Sequence, residues 1–161
     1  MSLEQALNPR SKPMPEAQTI RRTFSRQTSV SIGIDAPPEK IWRLLTDAPN
    51  YPGWNSTVTS IIGKIEQGST IKLRSILDAK RTFKLKVKVF EPYSKLVWGD
   101  AMGNRTYQLA RNSFGGTDFS MIEKIGGPIF PLFARMIPSF DDSFNAFARD
   151  LKKAAERSDS A

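Results

Sequence analysis

Seven apolar residues, Phe130, Phe133, Ile137, Phe140, Phe144, Phe147 and Leu151, recur near the carboxy terminus at spacings that alternate between three and four. That period marks one face of a helix. A helix with five phenylalanines on one side cannot bury them against itself, so a large apolar surface elsewhere in the chain must receive them. Pro138 lacks a backbone donor and predicts a kink or split within the stripe, with Ser139 placed to cap the longer second part.

The receiving surface is legible upstream as strand alternation. From Phe24 to Ile34, residues Phe24, Thr28, Val30, Ile32 and Ile34 share one face, and Ser25, Gln27, Ser29 and Ser31 share the other. Asp35-Ala36-Pro37 break this pattern, Pro38 suits a first helical turn, and Ile41, Trp42, Leu44 and Leu45 form a short stripe before Pro49. Asn50 to Trp54 reads as a tight turn or second short helix. Strands are then expected over Thr57–Glu66, Thr70–Leu77, Arg81–Glu91, Lys95–Ala101, Arg105–Arg111 and Thr117–Ile125. Their punctuation is Gln67-Gly68-Ser69, Asp78-Ala79-Lys80, Pro92-Tyr93-Ser94, Gly103-Asn104 and Gly115-Gly116. Such short connections require antiparallel neighbours. The expected fold is therefore α+β, a curved antiparallel sheet of about seven strands against a long carboxy-terminal helix, with two short helices after the first strand. Residues 1–22, with Pro9, Pro13 and Pro15 among polar neighbours, read as a disordered or loosely attached arm; 23–157 form the domain and 158–161 a tail.

The chain has 161 residues, no histidine and no cysteine. Zinc sites of the usual kind and Ser/His or Cys/His nucleophile pairs are excluded, and no cofactor is indicated. Any catalysis must use carboxylates, Arg, Lys, Tyr or Ser. No uncharged apolar stretch approaches the ~18 residues of a membrane span, and the amino terminus lacks a secretory apolar run, so a soluble, cytoplasmic protein is the default expectation. The net charge of +8 favours acidic partners in general. Part of it lies on one strand face, where Lys84, Lys86 and Lys88 alternate opposite the apolar side. That face reads first as a solvated sheet exterior and second as a contact for a membrane surface. Nucleic acid is disfavoured, because no run of aromatics accompanies these lysines.

The order of elements and the local motifs resemble the START-like, helix-grip superfamily (SRPBCC), and within it the polyketide cyclase/dehydrase-type branch. The stretch IDAPPEKIWRLLTDAPNYPGWN, Ile34 to Asn55, is similar to that superfamily's helix start, aspartate and aromatic turn. Leu96 to Trp98, the Gly115-Gly116-Thr117 turn leading to Glu123, and Phe144-Asn145 in the final helix agree with it. The resemblance covers about Ser29 to Glu156. It implies a cavity between the concave sheet face and the long helix, used across the superfamily for lipids, sterols, polyketides, quinones and hormones.

On the strands, Ile71, Leu73, Ser75 and Leu77 share one face, as do Phe83, Leu85, Val87 and Val89. The superfamily geometry adds Trp98, Tyr107, Leu109, Phe119, Met121 and Glu123 to this inner surface, opposite Phe133, Ile137 and Phe140. The ligand-contact set it implies is Trp54, Leu73, Trp98, Tyr107, Met121, Glu123, Phe133, Ile137 and Phe140. Each aliphatic member reads first as ordinary core and second as a ligand contact. Trp98 and Tyr107 carry polar tips that need a partner, which a ligand would supply. Trp54 and Tyr51 line the mouth or pin the short helices to the sheet, and for Tyr51 pinning is the preferred reading. Glu123 on an apolar face needs a counter-charge, with Arg105, Lys124 or, after a register shift, Arg74 as candidates. A structural salt bridge and a functional carboxylate are both open.

Three functions compete. The first is a non-catalytic carrier or sensor of a small hydrophobic molecule such as a lipid, polyketide or quinone. The second is a metal-free cyclase or dehydratase in which Glu123, Tyr107 or an inward Arg moves protons. The third is a module that docks a membrane or protein through the basic strand face.

Overall fold

The computed structural model describes residues 14–158; residues 1–13 of the expected arm and 159–161 of the expected tail lie outside it. The chain runs β1 (Gln18–Arg21), β2 (Ser25–Ile34), α1 (Pro38–Thr46), a 3-10 turn (Ala48–Asn50), α2 (Tyr51–Trp54), then β3 (Val58–Ile62), β4 (Thr70–Ser75), β5 (Asp78–Glu91), β6 (Lys95–Gly99), β7 (Gly103–Arg111) and β8 (Thr117–Gly126). It ends with α3 (Phe130–Phe133), a second 3-10 turn (Ala134–Met136) and α4 (Asp141–Ala155). All eight strands join one antiparallel sheet in the order β1-β2-β8-β7-β6-β5-β4-β3. β3 to β8 form a meander, and β2 returns to lie against β8 over Ser25–Gly126 to Ile34–Thr117. This is the helix-grip fold.

The extra strand is β1. Gln18–Arg21 has no apolar period to announce it, but its backbone pairs with the edge of β2 from Gln18–Ser29 to Arg21–Arg26. The arm expected through residue 22 is thus tied to the sheet at its end. Just before β1, the Ala17 amide donates to Asn145 Oδ1 of α4 at 2.7 Å. Two other sequence expectations are corrected. The β4–β5 turn falls at Ile76-Leu77 rather than Asp78-Ala79-Lys80, because Ser75 pairs with Asp78 and its hydroxyl accepts the Leu77 amide. Phe24 does not join the inner face; it precedes β2 in a turn and is 59% exposed.

Inward positions of β2, β6, β7 and β8 bury Val30, Ile34, Leu96, Trp98, Tyr107, Phe119 and Met121 under α4, which brings Phe144, Phe147 and Leu151. Pro38 starts α1, whose face Ile41, Trp42 and Leu45 completes this core. Tyr51 in α2 donates from its hydroxyl to the Leu45 carbonyl at 2.8 Å, which pins α2 to α1 as preferred for it above. Asn55 Oδ1 then accepts the Thr57 and Val58 amides and turns the chain into β3. The helix predicted across Pro138 is split: α4 begins only at Asp141, with Phe140 at its cap position and Ser139 Oγ a long 3.4 Å from the Asp141 amide. No described helix is long and apolar enough to cross a membrane.

Candidate ligand-binding site

The split in the carboxy-terminal helix decides where the chain is hollow. α4 packs on the sheet half where Tyr107, Phe119 and Phe147 meet ring to ring, with centroids 5.7 to 6.5 Å apart. Trp98 meets Tyr107 edge-on at 5.1 Å and Trp54 meets Phe147 at 5.5 Å. The rings pack closely there. Before Pro138 the chain runs as α3 and an irregular segment over the ends of β4 to β8, and between them lies a hollow of about 390 Å³. Its walls include Leu73, Leu77, Phe83 and Leu85 from β4 and β5, Trp98, Arg105, Glu123 and Ile125 from the sheet floor, and Phe133, Ile137 and Phe140 above. A wider depression of about 1200 Å³ lies against outward residues such as Ser31, Gly33, Gln108 and Ser120. It is open and holds no buried charge, so the hollow under α3 is the better ligand site.

The hollow brings together Leu73, Trp98, Glu123, Phe133, Ile137 and Phe140 of the expected contact set. Trp54, Tyr107 and Met121 do not line it. They have the inward parity or position expected of them, but they lie under α4, where aromatic packing fills the space. Trp54 sits between Tyr51 and Phe147 rather than at a mouth.

At the floor, Arg105 Nε donates to Glu123 Oε2 at 2.5 Å, so of the three candidate partners Arg105 is the one used. The pair is direct cross-strand register on β7 and β8. Arg74 points outward and bonds Thr82. The side chains of Arg105 and Glu123 keep only 16% and 19% exposure. Burial works against the Arg105 charge, but the Glu123 carboxylate and the Tyr107 hydroxyl beside it together hold the guanidinium more firmly protonated than usual. The guanidinium also lies 5.1 Å over the Phe144 ring. The Tyr107 hydroxyl lies on the buried side of the same guanidinium.

A second inward cation went unremarked in the sequence, although Arg26 shares the parity of Thr28 and Val30. It is 3% exposed and donates to the Ile137 and Pro138 carbonyls at 3.1 and 2.8 Å. These are the carbonyls that the helix break leaves without helical partners. Its guanidinium also stacks 4.6 Å over Phe140. Arg26 therefore fixes the roof of the hollow. Asp100 accepts the Met102 and Gly103 amides, shaping the β6–β7 turn at the rim.

Tyr107 is fully buried, and its hydroxyl lies near the Arg105 guanidinium without a well-aligned hydrogen bond. Burial pushes its pKa up to about 12, with the nearby Arg105 charge opposing the rise. The folded chain keeps this proton up to about pH 12 while an unfolded tyrosine loses it near 10, so stability falls as pH rises through that window. Tyr107→Phe is expected to be as stable as the parent at neutral pH, or about 1 kcal/mol more stable, since it removes a buried hydroxyl without a well-aligned hydrogen bond. Its decline between pH 10 and 12 should be shallower. Urea denaturation at neutral and alkaline pH checks both; a clear loss at neutral pH would mean the hydroxyl is satisfied by a bound molecule.

Residues 25–156 match the family described as polyketide cyclase / dehydrase and lipid transport. The chain belongs to that family. Among solved structures it is similar to a conserved protein of unknown function, EF2215 from Enterococcus faecalis, at 18% identity and a TM-score of 0.62, covering 90% of this chain and 80% of that one. Protein Ms6760 from Mycobacterium smegmatis gives a TM-score of 0.66 at 8% identity, with 92% and 100% covered. DynU16, a putative protein in the dynemicin biosynthetic locus, gives 0.59 at 15% identity, with 79% and 46% covered. At these identities the family likeness extends to fold alone. No match among curated proteins was found.

Proposed function

We propose that this chain is a carrier or sensor that holds a small, largely apolar molecule with one polar, oxygen-bearing end in the hollow between α3 and the sheet. The observation that carries this reading is the combination of largely apolar walls with one sequestered ion pair, Arg105 and Glu123, at the floor of the hollow. A space of about 390 Å³ falls in the range of roughly 300–1,000 Å³ typical of small-molecule sites. Lipid, polyketide and quinone chemistries all offer a hydrophobic body and a carbonyl or carboxyl end, and the residues favour none among them. The family to which the chain belongs is consistent with such a ligand. A cyclase or dehydratase reading has less support, because Tyr107, one of its proton-moving candidates, does not reach the hollow.

A fluorescent apolar probe with an acidic end, anilinonaphthalene sulfonate, tests the reading. It should bind with enhanced emission, and Ile137→Trp, which places an indole in the hollow, should weaken binding roughly tenfold or more. Unchanged affinity in that variant would place the ligand elsewhere and sink the proposal.

A further inference from the structure

Large apolar side chains are exposed at the same end of the molecule where the hollow opens. Leu132 and Met136 are 82% and 81% exposed and Ile129 is 56% exposed; Ile129 and Leu132 lie outside the hollow that Phe133 lines, and Met136 sits at its rim. Ile76, 54% exposed, tips the β4–β5 turn, and its neighbours Leu77 and Asp78 line the hollow with Met136. Phe24 stands beside the start of this segment, where its carbonyl accepts the Gly127 amide. Apolar side chains from three separate turns are thus exposed at the end of the molecule that holds the hollow. A monomer gains nothing from leaving such a cluster in water.

The charges interleaved with these tips are mostly positive. Arg21 and Arg22 flank Phe24, Lys80 and Arg81 follow the β4–β5 turn, and Arg135 lies between Leu132 and Met136, all exposed. Against these five stand Asp78 and Asp100. Apolar tips with a cationic girdle match an interface where acyl chains lie beneath anionic headgroups.

We infer that this end of the molecule docks on an anionic phospholipid bilayer, with Ile129, Leu132 and Met136 inserted into the headgroup boundary and the opening of the hollow facing the acyl phase. A hydrophobic ligand then exchanges with the bilayer without crossing water. The direction of exchange rests on the ligand-binding reading above, but docking does not, and the two are separable by experiment. This surface differs from the Lys84, Lys86 and Lys88 face, which lies on the opposite side of the sheet and where Ile62, in register with Lys72, is exposed without apolar neighbours from other turns.

Co-sedimentation with vesicles of phosphatidylcholine, alone or mixed with phosphatidylserine, is the test. The protein should bind the mixed vesicles and prefer them to the neutral ones, and high salt should weaken but not abolish binding, since the apolar part is not screened. The Ile129→Asp/Leu132→Asp variant should lose roughly tenfold or more in vesicle affinity while still binding the soluble probe. Phe114→Asp, at the 92% exposed tip of the β7–β8 turn at the other end, should change nothing. The proposal is overturned if the mixed vesicles are not bound, if the double variant binds them like the parent, or if Lys84→Ser/Lys86→Ser has the larger effect. Vesicle binding without probe binding would leave docking standing and remove the ligand reading instead.

Discussion

Phe147→Ala is expected to lower the unfolding free energy by about 3–5 kcal/mol, enough to consume a large part of the stability of a domain this size. The ring is wholly buried and lies within 5.5 to 6.5 Å, centroid to centroid, of Trp54, Tyr107 and Phe119. Those neighbours come from α2 and two different strands, so collapse around the vacated space would need coordinated movement of separate elements. The loss should therefore sit at the cavity-dominated end of the range. Phe140→Ala makes the contrast. That ring is 9% exposed and faces the hollow, so it already lacks partner atoms on one side and its removal should cost about half as much. Urea denaturation of the two variants checks the ranking; equal losses would contradict the division into a packed half and a hollow half.

That division also explains what could and could not be read from the sequence. The alternation of three and four from Phe130 to Leu151 was enough to demand a sheet beneath a helix, and the parity of β2, β4, β6, β7 and β8 named the inner face. Parity says which face a side chain takes, not how far along the strand the helix crosses. Leu73 and Glu123 consequently reach the hollow while Tyr107 and Met121, equally inward, are packed under α4. The position of the crossing follows from Pro138 and from Arg26 holding the carbonyls on either side of the break, a contact over 111 residues that no local pattern carries.

A bulge hid one more assignment. Alternation from Phe83 through Val89 puts Phe90 on the lysine-bearing exterior. The pairing of β5 with β6 shifts between Val87 and Val89, so Phe90 comes opposite Leu96, turns inward and meets Trp42 edge-on at 5.1 Å. An extra residue in one strand reverses every side chain beyond it. β1 was missed for a different reason: its stability comes from backbone pairing with β2 and from the Thr19 hydroxyl, which donates to Asp141 Oδ1, rather than from any apolar face of its own.

The ion pair at the floor should behave as a unit. Arg105→Leu leaves the Glu123 carboxylate without its hydrogen-bonded counter-charge in a site it shares with Trp98 and Phe133, and Glu123→Leu leaves the guanidinium in the same position. Each single change is expected to cost about 3 kcal/mol, because removing one partner of a sequestered pair exposes the desolvation penalty of the other. The double variant Arg105→Leu/Glu123→Leu should recover most of that loss, since two aliphatic side chains in cross-strand register suit the surrounding walls. Coupling of this size, read from urea denaturation of the four proteins, shows that the pair is not serving the fold at large; an apolar floor would do as well. What the double variant should lose is preference for a ligand with a polar end, so the anionic probe ought to bind it more weakly than an uncharged probe of the same shape. Additive single effects would mean that water in the hollow screens each charge independently, and the pair would then orient no ligand at all.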